Sequence, residues 1–181
     1  MDIFNIKYIQ RFKVSSIINK GVVYMMFDGA QILSTFVKME EEVSRYYSEL
    51  AERSEDKKSK ELFERLALEE EKHQHMYKRL LETHGDNMLR EFSEEEIEYT
   101  KSLIEENISD KQLGDKSMLL KDALELAEKM ERDGILFVYQ MMELYPDIAQ
   151  KEMKTILKEE KKHLRTVRDR RQFGPLRGLG L

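Results

Sequence analysis

Four long segments rich in Glu, Lys, Leu and Met run through this chain, and they restrict it to a predominantly helical fold. Only 8 glycines and 2 prolines are available among 181 residues, which excludes a sandwich or barrel of many short strands. Capping residues such as Asp28, Asp56 and Gly85 mark the ends of the segments. The predicted helices are residues 28–53, 56–83, 117–144 and 146–172.

The links between these segments predict how the helices are connected. Short links join the first helix to the second and the third to the fourth, whereas residues 84–116 form one long connection. Within that connection, Ser93 and Glu96 have the spacing of a capping box, which predicts a short polar helix. Two antiparallel helical hairpins joined by a long crossover predict an all-α four-helix bundle at residues 28–173. Residues 174–181 are predicted to form a coil tail.

Residues 1–27 form an N-terminal extension in which basic side chains interrupt the apolar ones. Because a signal peptide has an unbroken apolar stretch, this pattern does not predict one. No run in the chain approaches the roughly 18 apolar residues that span a membrane, so we predict no membrane span. We expect the extension to be an extra helix or strand that packs on the domain or on a partner, with a basic surface-seeking helix as the alternative.

The absence of cysteine and the overall charge exclude several classes of function. A chain with 0 Cys has no disulfide framework, cysteine-ligated zinc, iron–sulfur cluster or thiol nucleophile. Such a composition suits a reducing compartment, and we expect a cytoplasmic protein. The formal net charge of −5 provides no general attraction to nucleic acid, so we expect no nucleic-acid partner.

The main chemical signal is a Glu-x-x-His motif that occurs in both the second and the fourth predicted helices. Glu70 and His73 form the first copy, and Glu160 and His163 form the second. Side chains three residues apart on a helix lie on one face, so each pair can bind a single metal ion. One such pair has little weight in a Glu-rich chain, but the repeat extends to the neighbouring helices.

One glutamate in each of the other two helices lies within the apolar stripe. Glu40 occupies this position in the first helix and Glu131 in the third, and each is separated from the following Glu-x-x-His by nearly the same distance in sequence. Four unpaired carboxylates in one core would repel one another, and each would cost several kcal/mol. Two divalent cations would neutralise them, and two imidazoles would complete a ligand set known from di-iron and di-manganese bundles. The alternative is that these are ordinary surface glutamates on highly charged helices. The predicted metal ligands are Glu40, Glu70, His73, Glu131, Glu160 and His163.

Other polar residues near these positions have simpler interpretations. His75 falls off the apolar stripe and His84 lies at a helix end, so both are predicted to be solvated surface residues. Glu128 is expected to be a solvated residue at the edge of the stripe rather than a seventh ligand. The basic run at residues 161–171 suits the C-terminal end of a helix, with binding of a partner as the alternative.

Taken together, these motifs resemble the rubrerythrin branch of the ferritin-like superfamily over roughly residues 28–170. The resemblance implies a ferritin-like bundle with a carboxylate-bridged di-iron centre that reduces hydrogen peroxide to water. The six predicted ligands match the family's ligand positions. Tyr47 and Tyr139 match tyrosines that lie behind those ligands, with ordinary core aromatics as the alternative. The residues that carry the likeness are Lys38–Glu42, Tyr46–Tyr47, Glu70–His73, Glu131, Tyr139 and Glu160–His163.

The resemblance also implies a cofactor, substrates and partners. We expect two iron ions per chain, with manganese or a mixed pair as the alternative. Hydrogen peroxide or oxygen would be the substrate, an external donor would supply electrons, and the protein would be a homodimer. The chain departs from the family in having no Cys for a rubredoxin domain and in having Gly134 where many members have a further Glu. The alternative functions are a ferroxidase or iron-storage protein and a non-catalytic, metal-stabilised helical bundle.

Overall fold

The computed structural model describes residues 15–19, 22–91, 93, 95, 96, 98 and 119–173. The chain divides into two compact units, residues 1–110 and 111–181. The predicted coil tail and most of the long connection lie outside the described residues. Each unit contains one of the two predicted helical hairpins.

Hairpin 1 consists of helix α1, Gly29–Arg53, and helix α2, Lys57–His84, which pack against each other. The start of α2 follows from the predicted cap, because Asp56 is extended and its Oδ1 accepts a hydrogen bond of 2.9 Å from the Ser59 backbone N–H. Beyond α2 the chain tightens into a 3₁₀ turn at Gly85–Asn87. The predicted bounds of both helices therefore agree with the structure to within a residue.

A three-stranded antiparallel sheet is formed by two strands before hairpin 1 and one strand after it. Strand β1, Ser15–Asn19, pairs with β2, Val22–Asp28, and β2 pairs with β3, Leu89–Glu91. The order is β1-β2-β3. The β-branched residues of the extension suit strands, one of the two elements expected there. Strand β2 leads directly into α1, and the Gly29 N–H donates to the Met88 carbonyl at 3.1 Å, which joins the start of α1 to the residue after the 3₁₀ turn.

The connection after hairpin 1 begins with the predicted capping box. The Ser93 N–H donates to Glu96 Oε2 at 2.8 Å, and the Glu96 N–H donates to Ser93 Oγ at 3.1 Å. Residues 95, 96 and 98 are helical. The local prediction of a short polar helix is confirmed at its first turn.

Hairpin 2 consists of helix α3, Leu120–Leu144, and helix α4, Gln150–Phe173. Both helices begin three or four residues later than predicted. In α3 the residue before the helix, Leu119, offers no side-chain cap. In α4 a turn at Tyr145–Ala149 delays the start, because Ala149 has a left-handed φ of 49° and the Gln150 side chain donates to the Tyr145 carbonyl at 3.1 Å.

Each hairpin buries its own apolar stripe. In hairpin 1 the rings of Phe36 and Tyr77 lie 5.2 Å apart and those of Tyr47 and Phe63 stack at 6.2 Å between centroids. Hairpin 2 buries Phe137, Val138, Met141, Ile156 and Val167. Among the described residues, no helix is long and apolar enough to cross a membrane.

Candidate metal centre

The first donor set lies in hairpin 1 and contains two carboxylates and one imidazole. Glu40 comes from α1, and Glu70 and His73 come from α2. All three are buried, with exposures of 6 %, 1 % and 0 %. His73 Nδ1 lies 2.9 Å from Glu70 Oε2, so the two members of the Glu-x-x-His motif share one hydrogen bond across a helical turn. The structure thus places the predicted residues of this half on the buried stripe.

Two polar contacts between α1 and α2 lie next to the first donor set. Ser44 Oγ donates to the Ala67 carbonyl at 2.9 Å, and Gln74 Nε2 donates to Glu41 Oε2 at 3.2 Å. Ser44 is one turn after Glu40, and Gln74 directly follows His73. These contacts therefore set the rotation of α1 against α2, and its position along the helix axis, next to the predicted ligands.

The second donor set lies in hairpin 2 and has the same composition. Glu131 comes from α3, and Glu160 and His163 come from α4, with exposures of 2 %, 3 % and 1 %. His163 Nδ1 lies 3.7 Å from Glu131 Oε2 of the other helix. In both Glu-x-x-His motifs a carboxylate oxygen and an imidazole nitrogen lie within 4.8 Å of each other.

The chemistry of each donor set fits a divalent metal ion. Two buried carboxylates carry two negative charges that water cannot solvate, and burying them without compensation is costly. A divalent ion cancels both charges, and oxygen and imidazole donors together suit iron, manganese and zinc. Beside Glu160, Gly134 has no side chain, and a Cβ at this position would contact Glu160 Oε2 at 3.4 Å. The residues present can therefore hold such an ion.

Comparison with known proteins assigns the chain to a family. The sequence pattern of the Rubrerythrin family matches residues 31–170. The chain belongs to the rubrerythrin family. This confirms the resemblance recognised in the motifs, over almost the range predicted from them.

A solved structure supports the same fold. The chain is similar to a ferritin-like diiron-carboxylate protein from Thermotoga maritima, with a TM-score of 0.61 and 24% sequence identity over 79% of this chain and 93% of that one. No curated protein matches the chain significantly. The fold is the ferritin-like four-helix bundle, as predicted, and this chain also contains the three-stranded sheet, which the all-α prediction did not include.

The two tyrosines expected behind the predicted ligands occupy different environments. Tyr47 is fully buried and stacks on Phe63. Tyr139 is 46% exposed, and Lys161 Nζ donates to its hydroxyl at 2.6 Å. Helix phase explains the difference: Tyr47 follows Glu40 by seven residues, about 20° away, whereas Tyr139 follows Glu131 by eight, about 80° away. Tyr139 therefore lies at the surface and not, as expected, behind the predicted ligands.

The predicted exposure of Glu128 is also wrong, because this residue is buried. It is 4% exposed rather than solvated, and it lies one turn before Glu131 on the buried side of α3. Its Oε1 accepts hydrogen bonds from Arg168 Nε and Nη2 at 3.3 and 3.2 Å, and Arg171 Nη2 lies 2.8 Å from its Oε2. Both carboxylate oxygens are engaged by arginines of α4, which agrees with Glu128 not being a seventh ligand. Part of the basic run of α4 thus binds within hairpin 2.

The remaining residues near the motifs are structural. His75 is exposed, with Nδ1 2.7 Å from the Glu71 carbonyl, and His84 is the last residue of α2, as expected. The pKa of Tyr46 is raised to about 12, mainly by burial. The charge of Arg53 lowers the pKa and that of Glu49 raises it, and both effects are smaller than that of burial. The Tyr46 hydroxyl therefore keeps its proton across the physiological pH range.

Proposed function

We propose that this protein is a non-haem di-iron oxidoreductase that reduces hydrogen peroxide with electrons from an external donor. The observation that carries the proposal is the pair of buried Glu plus Glu-x-x-His donor sets in a member of the rubrerythrin family. In this proposal the two sets together bind two iron ions per chain. The proposed ligands are Glu40, Glu70, His73, Glu131, Glu160 and His163.

Two ferrous ions would supply the two electrons that cleave the O–O bond, according to H₂O₂ + 2 H⁺ + 2 e⁻ → 2 H₂O. The protein's own residues would bind the two ions, orient the peroxide and exclude water from the site. His73 Nδ1 and Glu70 Oε2 lie 2.9 Å apart, and an imidazole and a carboxylate must both be free of protons at the atoms that bind a metal ion. Metal affinity should therefore fall as the pH is lowered.

Other parts of the proposal concern assembly and electron supply. The 181 residues contain no Cys and so provide no cysteine-ligated iron centre to supply electrons, and an external donor is proposed instead. The protein is proposed to be a cytoplasmic homodimer. Native mass measurement tests the dimer, and cell fractionation tests the location.

The decisive experiment combines metal analysis with single-turnover kinetics. Protein purified without oxygen and loaded with ferrous iron should contain about two ions per chain and consume about one peroxide per pair of ions. The double variant Glu70→Ala/Glu160→Ala should lose both ions and remain helical, because removing two buried charges relieves repulsion in the metal-free core. The matched control is Glu71→Ala, a substitution at an exposed neighbour that should retain both ions.

Other outcomes would assign a different function. Uptake of many more than two ions per chain, with oxidation by oxygen, would indicate a ferroxidase or iron-storage protein. Tight metal binding with no reaction toward peroxide or oxygen would indicate a metal-stabilised bundle. Retention of both ions by the double variant would contradict the ligand assignment.

A further inference from the structure

The two donor sets differ at the position three residues after the lone glutamate. In hairpin 2 this position is Gly134, after Glu131, and in hairpin 1 it is Val43, after Glu40. Both positions fall on the face of the helix that carries the ligand, and both are partly exposed. A side chain occupies the position in hairpin 1 and none does in hairpin 2.

Backbone conformation does not require glycine at this position. Gly134 lies in the interior of α3 and does not have a left-handed φ. A glycine inside a helix costs roughly 1 kcal/mol relative to alanine. Glycine therefore lowers the stability of the helix here, and no feature of the local backbone requires it.

That space lies directly against a proposed metal ligand. A Cβ on Gly134 would lie 3.4 Å from Glu160 Oε2, 3.5 Å from its Cδ and 3.9 Å from its Oε1. The residues around Gly134 on the same face, Glu131 and Val138, are buried, and Glu160 itself is 3% exposed. Gly134 is thus a gap in an otherwise buried stripe, adjacent to a carboxylate.

From this geometry we infer that Gly134 is a specificity-determining residue, which leaves the carboxylate of Glu160 uncovered on this side so that a small ligand can approach it. The inference rests on the proposed function in one respect, namely that the second donor set binds a metal ion. The ligand approaches that ion over Gly134, on the side of hairpin 2. In hairpin 1, Val43 fills the corresponding position, so the two donor sets are unequal in access.

Azide binding to the iron-loaded protein tests the inference without any turnover. The variant Gly134→Val places in hairpin 2 the side chain that hairpin 1 already has, and it should weaken azide binding by about tenfold or more while both ions are retained. Gly134→Ala adds one methyl at ordinary contact distance and should weaken binding by a smaller factor. The matched control is Leu136→Ala, at an exposed residue two positions from Gly134 in α3, and it should leave azide affinity within about twofold.

A second measurement separates blocked access from a damaged fold. The metal-free Gly134→Ala protein should melt at the same temperature as the original or higher, because alanine favours the helix and its Cβ meets no clash. If Gly134→Ala binds azide as tightly as the original protein, or if either variant loses an ion, the inference is wrong. An original protein that binds no azide also overturns it.

The proposed peroxide chemistry can fail separately. A protein that binds two ions and azide but does not reduce peroxide would refute the proposed reaction and leave the role of Gly134 intact. If the protein reduces peroxide and Gly134→Val binds azide as tightly as the original, the role of Gly134 is refuted and the proposed reaction stands.

Discussion

Hairpin 1 and hairpin 2 carry the same three donors at nearly the same spacing, but they hold their helices together by different contacts. Hairpin 1 uses hydrogen bonds between its helices, from Ser44 to the Ala67 carbonyl and from Gln74 to Glu41. Hairpin 2 uses a buried carboxylate, Glu128, between two arginines. The position of Glu128 corresponds to an apolar residue, Val37, in hairpin 1. The predicted ligands repeat in the two hairpins, whereas the contacts that join their helices do not.

The difference shows which parts of the repeat are constrained by chemistry. Metal ligands must be carboxylates and imidazoles at spacings that bring them to one face. Residues that only set the distance between two helices can be neutral or charged, since any satisfied contact serves. We therefore expect the two hairpins to respond differently to substitution and to salt.

The largest contrast is expected between the two tyrosines that family resemblance makes equivalent. Tyr47→Ala should lower the free energy of unfolding by about 3–5 kcal/mol, because it removes a fully buried ring that stacks on Phe63. Tyr139→Ala should change it by only about 0.5 kcal/mol, because the ring is half exposed. Denaturant unfolding of the metal-free variants measures both. Similar losses for the two would mean that Tyr139 is buried in solution.

Histidine substitutions test whether both donor sets bind metal. His73→Ala and His163→Ala should each weaken metal binding by about tenfold or more, since each removes a buried imidazole. The control is His75→Ala, two residues from His73 but exposed, which should leave metal affinity unchanged. Metal titration followed by elemental analysis compares the three. If only His73→Ala weakens binding, the second donor set is not a metal site and the two hairpins are not functionally equivalent.

The ion pairs of hairpin 2 should have a smaller effect. Glu128→Ala should destabilise the protein by about 1–3 kcal/mol, less than a fully buried pair, because Arg168 is half exposed. Glu125→Ala should cost less than about 0.5 kcal/mol, because Glu125 is exposed and 3.7 Å from Arg171. Unfolding at low and high salt checks both. An equal cost for the two would show that Glu128 is not the residue that joins α3 to α4.

Local chemistry was readable from the sequence because it depends on residues close together in the chain. The helix start after Asp56 and the capping box of Ser93 and Glu96 involve residues three apart, and the structure forms both. The buried faces of Glu40, Glu70, Glu131 and Glu160 follow from helical periodicity. The surface position of Tyr139 was also present in the sequence, as a helix phase of about 80° from Glu131.

Other features were decided only by contacts between distant parts of the chain. Strand β2 finds its second partner in β3, more than sixty residues away in sequence, and no local pattern specifies that pairing. Glu128 is buried because Arg168 and Arg171, forty or more residues later, reach both of its oxygens. A charged side chain at the edge of an apolar stripe is solvated unless the neighbouring helix provides a side chain of opposite charge to pair with it. The sequence determined the helices and the donor set through local periodicity and side-chain chemistry, and the tertiary structure determined which charges are paired, because pairing needs the second helix in place.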